Sequence, residues 1–185
     1  FNLFERDNIR RMTIIAASLS EGNGAKKVVQ AILVDAQSDE VSLVPATILD
    51  CDYIYSLQTQ LGVRQFFRNT DIPSYDEHCR WFQGRLSNSN SVTFKIKLGS
   101  KDVGTISVDN IAGENPEISI VVSVDVGGKG IGTKAMRLVL QLFPMRALKA
   151  VVHTKNVGSL KLFDRVGFVQ IGENKDFIHL KNNRG

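Results

Sequence analysis

From residue 41 onward, the spacing of apolar and polar positions predicts an alternation of strands and helices. Residues 41–48 (V-S-L-V-P-A-T-I) read as a first strand and 50–61 as a helix. Residues 63–70 precede a second helix beginning near Ser74. Ser74-Tyr75-Asp76-Glu77 has the form of a capping box, with Ser74 as N-cap and Glu77 at the third helical position. Residues 92–97 and 103–110 alternate as a half-buried hairpin that turns at Gly99-Ser100. Residues 117–124 are almost all β-branched and apolar, the mark of a central strand. Ile131, Ala135, Leu138, Val139 and Leu142 recur on one face of a helix that Pro144 ends. Residues 148–153 follow as a strand, 159–166 as a helix, and 168–171 with 177–180 as a closing strand pair. The order β-α-α-β-β-β-α-β-α-β-β makes residues 41–185 one α/β (α+β) domain with a mixed sheet. Residues 1–40 stand outside it as a helical extension and linker. There, 8–17 has helical character, 20–24 is a turn, and 25–34 is a short helix.

The stretch 118–133, I-S-I-V-V-S-V-D-V-G-G-K-G-I-G-T, carries the most chemistry. It predicts a strand, a glycine turn and the start of a helix. Backbone N–H groups at a helix start have no helical partner, and the helix dipole favours an anion beside them. The arrangement is therefore a phosphate cradle. A nucleotide P-loop requires Gly-Lys-[Ser/Thr] after its four-residue spacer, and here Gly132 is followed by Thr133-Lys134. A dinucleotide fingerprint starting at Gly128 requires glycine at 133, which is threonine. A second segment, 156–168, reads N-V-G-S-L-K-L-F-D-R-V-G-F and puts Asn156, Ser159 and Phe163 on one helical face.

Composition bounds the rest. The chain has 185 residues, 43% hydrophobic and 23% charged, so a packed core is within reach without disulfides. The net charge of +4 comes without a Lys/Arg stripe, which argues against a nucleic-acid partner and suits a diphosphate-bearing ligand. Cys51 and Cys79 form no C-x-x-C pair, so free buried thiols and a cytoplasmic location are expected. His78, His153 and His179 lack metal spacing, and no apolar run is long enough to span a membrane.

The two motifs, in this order, resemble the GNAT superfamily of N-acetyltransferases. The glycine turn resembles that family's pyrophosphate loop, [RQ]-x-x-G-x-[GA], with Gly130 and Gly132 at the small positions and Gly127 in place of Arg or Gln. The later segment resembles N-x-x-[AS]-x-x-x-Y-x-x-x-G-F, with Asn156, Ser159, Gly167 and Phe168 matching and Phe163 in place of tyrosine. The resemblance implies an acyl-CoA N-acyltransferase fold with a splayed sheet, and acetyl-CoA as cofactor. It implies that Val122, Ser123 and Val124 pair with the pantetheine and that a backbone N–H near Val122 stabilises the oxyanion. It puts Gly127, Gly128, Lys129, Gly130, Ile131, Gly132 and Thr133 on the diphosphate, and Asn156, Ser159 and Phe163 beside the cofactor.

Transfer is direct, so proton handling is the remaining chemistry. Glu117 is the first candidate base, and it also reads as a solvated strand end. His153 is the second. The family's tyrosine acid is absent, and water or Ser159 is the substitute. Residues 64–82 resemble enzymes that acetylate nucleotide-carried amino sugars of the pseudaminic and legionaminic type. On that resemblance Arg64, Arg68 and Asn69 hold a diphosphate or sugar hydroxyls, and Trp81 packs on the sugar. The stretch 21–32 is similar to the tail of a nucleotide-sugar hydrolase or glycosyltransferase, and with phenylalanine as first residue it suggests the C-terminal part of a bifunctional protein. Peptide or ribosomal-protein N-terminal acetylation and a non-catalytic acyl-CoA sensor remain alternatives, and a homodimer is left open.

Overall fold

The computed structural model describes residues 40–143 and 147–182. The helices expected at 8–17 and 25–34, the sugar-nucleotide-like tail and the Pro144 helix stop lie outside the described residues. The elements are β1 (Val41–Pro45), α1 (Cys51–Thr59), α2 (Tyr75–Ser87), β2 (Ser91–Leu98), β3 (Lys101–Asp109), β4 (Glu117–Val122), α3 (Ile131–Leu142), β5 (Lys149–His153), α4 (Val157–Arg165), β6 (Phe168–Glu173) and β7 (Phe177–Asn182). Short 3-10 turns sit at Ile48–Asp50, Arg64–Phe66 and Val124–Val126. The strand-and-helix order matches the sequence expectation. The first and fourth strands stop earlier than their apolar runs, because a 3-10 turn begins shortly after each.

Seven strands form one mixed sheet in the order β1-β2-β3-β4-β5-β7-β6. Side chains alternate across it. On one face Leu43, Phe94, Ile96, Ile106, Val108 and Ile118 are buried in one apolar core with Ile131, Ala135, Met136, Val139 and Leu140 of α3. On the opposite face of the same strands stand Thr93, Lys95, Thr105, Ser107, Asp109 and Glu117, beneath α1 and α2. A smaller cluster of Ala46, Cys51, Ile54 and Phe82 joins those two helices. Their packing brings the Cα atoms of Cys51 and Cys79 to 6.1 Å, within disulfide range, and the two sulfurs are bonded. This corrects the expectation of free thiols: 28 residues of sequence separation hid a contact that helix packing creates.

The start of α2 is fixed by its capping box. The Ser74 N–H donates to Glu77 Oε2 (2.8 Å), and the Glu77 N–H donates to Ser74 Oγ (3.3 Å). The start of α1 is tied to the sheet by charge. Lys95 Nζ lies 2.8 Å from Asp50 and 3.1 Å from Asp102, and Lys97 Nζ lies 2.7 Å from Asp102. Asp50 also accepts the Thr47 N–H (2.7 Å).

Burial pushes the Asp102 carboxyl up, but hydrogen bonds from Lys97 and Lys95 outweigh it and hold the group below the usual carboxylate range. A depressed carboxyl stabilises the fold above its unfolded pKa of about 3.9, and that contribution is lost as pH falls through the folded value. Asp102→Asn is therefore expected to cost about 1–2 kcal/mol at pH 7, between an exposed and a buried pair. The difference from wild type should shrink below about pH 4. Denaturant unfolding at both pH values checks this.

Candidate active site

The strand β4 separates the sheet into two parts. It pairs along its length with β3, from Asp109↔Glu117 to Gly104↔Val122. With β5 it pairs in parallel only at Glu117↔Lys149. Beyond that point β4 and β5 splay apart. The Ser123 N–H donates to Val103 O (2.9 Å). In an antiparallel ladder the direction of N–H groups alternates, so the N–H groups of Val122 and Ile120 turn away from β3, into the gap. They have no strand partner there. The gap opens into a cleft of about 1320 Å³, lined by both β4 and β5, by the glycine turn, and by α1, α2 and α4.

The glycine turn forms the cleft's anion-binding end. Gly128 and Gly130 have φ of +77° and +74°, a region that disfavours other residues, and nothing lies within 4 Å of a Cβ built on either. Gly130 is the N-cap of α3 and offers no side chain. The first amides of α3, from Ile131 to Thr133, are therefore not covered by a capping side chain and face an open backbone curl. Gly132 serves packing: a Cβ there would run into Leu162 Cδ1 of α4. Lys129 and Thr133 flank the turn, and Thr133 lines the cleft.

Of the three residues after the gap, Val122 alone keeps its N–H for a ligand. Ser123 N–H is taken by β3, and Val124 N–H points at Gln60 Oε1 (3.4 Å) from the end of α1. Asn156, Ser159 and Phe163 all line the cleft from α4. Asn156 Oδ1 caps the helix by accepting the Ser159 N–H (3.1 Å). Phe163 is 3% exposed, and its ring meets Phe168 edge to face with centroids 5.0 Å apart.

The expected acceptor residues Arg64, Arg68, Asn69 and Trp81 also line this cleft. Two of the expected site residues bind one another: Arg68 Nη2 lies 2.8 Å and 2.9 Å from the two carboxylate oxygens of Glu117. Arg64 is held by its Nε at Asp71 O (2.6 Å) and stacks over Phe67 at 5.3 Å. Its terminal nitrogens have no protein partner among the described residues. Asn69 Oδ1 closes a turn on the Asp71 N–H (2.9 Å). Trp81 is half exposed, beneath the Arg85 guanidinium at 5.7 Å. His153 sits between Phe66 and Phe177, and its Nδ1 accepts the Lys155 N–H (3.1 Å). In the neutral ring the proton is then on Nε2, which makes His153 a donor.

Sequence reasoning missed the polar floor of the cleft, namely Arg85, Thr93, Thr105, Ser107, Asp109 and Ser119. It also missed His78. Burial, with the Arg64 charge adding to it, pushes the His78 imidazole down, against a hydrogen bond to the Cys51 backbone that pushes it up. Its Nε2 is buried and has no hydrogen-bond partner among the described residues. Thr93, Thr105 and Ser107 were readable as polar positions of a half-buried hairpin, but nothing local says that a helix covers them.

Four findings place the chain among known proteins. Residues 40–169 match the family described as Acetyltransferase (GNAT) domain. Acetyltransferase PseH of Campylobacter jejuni (serotype O:2) is 25% identical over 131 residues, covering 69% of this chain and 82% of that protein. RimL, the ribosomal L7/L12 alpha-N-protein acetyltransferase solved in complex with coenzyme A, superposes with a TM-score of 0.69 at 14% identity, covering 78% of this chain and 94% of that one. AAC(6')-Ib in complex with ribostamycin and coenzyme A superposes with a TM-score of 0.70 at 15% identity, covering 79% and 94%. The fold is thus the acyl-CoA N-acyltransferase fold, and the cofactor of such a domain is acetyl-CoA. The residues present fit it: an open glycine curl for the diphosphate and unpaired strand amides for the amide-bearing arm.

Gly130→Ala is expected to weaken acetyl-CoA binding about 5–50-fold, because the side chain both strains a positive φ and fills the curl. Calorimetric titration with acetyl-CoA measures it. Gly84→Ala, on α2, has open space for its methyl and should bind like wild type.

Proposed function

The chain belongs to the GNAT family of acetyltransferases, and from that premise we propose that its acceptor is the primary amine of a nucleotide-linked amino sugar. The observation that carries this reading is Arg64. Its guanidinium is held by Asp71 O and Phe67 and lines the cleft, and its terminal nitrogens have no protein partner among the described residues. A preoriented guanidinium with unpaired N–H groups suits a phosphate oxygen. Trp81, half exposed in the same cleft, offers a ring for a sugar, and the likeness to acetyltransferase PseH supports the same class.

Acetyl-CoA supplies the acetyl group as an activated thioester, and the chain's residues bind, orient and move protons. Gly127, Gly128 and the first amides of α3 hold the diphosphate, with Lys129 adding charge. The Val122 N–H holds the carbonyl oxygen as negative charge develops on it. Phe163 cannot donate a proton. The His153 Nε2–H and the Ser159 hydroxyl are the groups we assign to hydrogen-bond the departing thiolate, which takes its proton from solvent. Glu117 is five residues before Val122, about 16 Å along the strand, so it takes the amine's proton only through a chain of waters. Its fixed partner is Arg68, and the pair also shapes the acceptor wall. The likeness of residues 21–32 to the tail of a nucleotide-sugar hydrolase or glycosyltransferase supports the same acceptor class.

Thiol release from acetyl-CoA tests this reading with a UDP-linked 4-amino-4,6-dideoxyhexose and with the same sugar lacking the nucleotide. Arg64→Ala is expected to raise the KM of the nucleotide-linked sugar at least 10-fold, in line with loss of a charge-assisted hydrogen bond of about 1.5–3 kcal/mol. The KM of the free sugar should stay the same. Turnover confined to peptide N-termini would overturn the reading.

A further inference from the structure

The floor of the cleft is a sheet face that a helix covers, yet it is built from hydroxyls. Thr93 of β2, Ser107 of β3 and Ser119 of β4 stand side by side in register. Thr93 and Ser107 are each 8% exposed, while Ser119 is open to the cleft. Buried hydroxyls are costly unless bonded, and here they are. Arg85 Nε donates to Thr93 Oγ1 (2.8 Å). Thr93 Oγ1 and Ser107 Oγ are 3.0 Å apart, a bond in which either hydroxyl can donate. Each bond in such a relay polarises the next, and Ser107 at its end lines the cleft. The Ser119 hydroxyl lies directly across the strand pair.

The charges around this pair cancel. Arg85 Nη2 lies 2.8 Å from Asp109 Oδ1, and Arg68 pairs with Glu117 at 2.8 Å. Asp109 and Glu117 are themselves register neighbours. Two cations and two carboxylates leave a patch that is rich in donors and acceptors but without net charge. A phosphate placed there would meet two carboxylates, whereas a neutral hydroxyl group can both donate and accept. Ser119 is three residues before Val122, about 10 Å along the strand. That exceeds one pyranose ring.

We propose that Ser107 and Ser119, backed by the Arg85–Thr93 relay, form a specificity subsite. It takes a neutral vicinal diol carried by the acceptor about 10 Å from its reacting amine. The proposal rests on the reading of the acceptor as an amino sugar, and adds that a second hydroxylated unit lies beyond that sugar. The test uses two acceptors of equal reach and no nucleotide: an amino disaccharide with a terminal diol, and a linear triamine. Wild type is expected to show the lower KM for the disaccharide. Ser119→Ala and Ser107→Ala should each raise that KM about 3–10-fold, the size of one neutral hydrogen bond. The KM values for acetyl-CoA and for the triamine should not move, and Ser119→Thr should restore the wild-type value. Ser119 is exposed, so its variants keep the fold even if the buried Ser107→Ala does not. Equal effects on both acceptors, no effect on either, or no turnover of the disaccharide by wild type would each overturn the subsite. Failure of nucleotide-linked sugars alone overturns the Arg64 reading and leaves this one standing.

Discussion

β4 and β5 touch through one residue pair, Glu117 and Lys149, and then part. The transfer site depends on that separation. A closed sheet would spend the Val122 and Ile120 amides on β5. The splay leaves them as donors with no strand partner in an open gap, where water satisfies them until a ligand takes its place. The glycine turn and the start of α3 continue the same gap, which is why one extended cofactor can meet strand amides at one end and helix amides at the other.

The apolar face of β1–β4 is anchored on α3 and forms the main core, so the geometry of β4 is rigid where the chemistry needs it. The opposite face is polar and covered by α1 and α2, which are held by different means. The Asp50–Lys95–Asp102 network ties α1 to β2. The Cys51–Cys79 bond ties α1 to α2. Arg85 ties α2 to Thr93 and Asp109. The ties to the sheet are polar, and polar side chains line the cleft between the helices and the sheet. The division follows from strand alternation: one face packs the core, and the other lines the cleft.

The strands and helices from residue 41 on were legible because each has a clear period, apolar in strands and one-sided in α3. The capping box at Ser74 and the glycine cradle were legible because their chemistry is local in sequence. Contacts between distant segments were not. The pairing of Cys51 with Cys79 spans 28 residues. The pairing of Arg68 with Glu117 spans 49 and ties an expected base to an expected substrate ligand. Nothing local in sequence marks Ser107 and Ser119 as neighbours, because strand register alone sets them side by side. His153 was legible as a residue near the cleft, but only its bond to the Lys155 N–H assigns it as a donor.

Amide hydrogen exchange at single-residue resolution, with and without acetyl-CoA, tests the splayed gap most directly. The Val122 and Ile120 amides should exchange quickly in the free protein and become protected when acetyl-CoA is added. The Ser123 amide, already bonded to Val103 O, should be slow in both states. Protection of Val122 before any ligand is added, or binding of acetyl-CoA that leaves Val122 unprotected, would contradict the account.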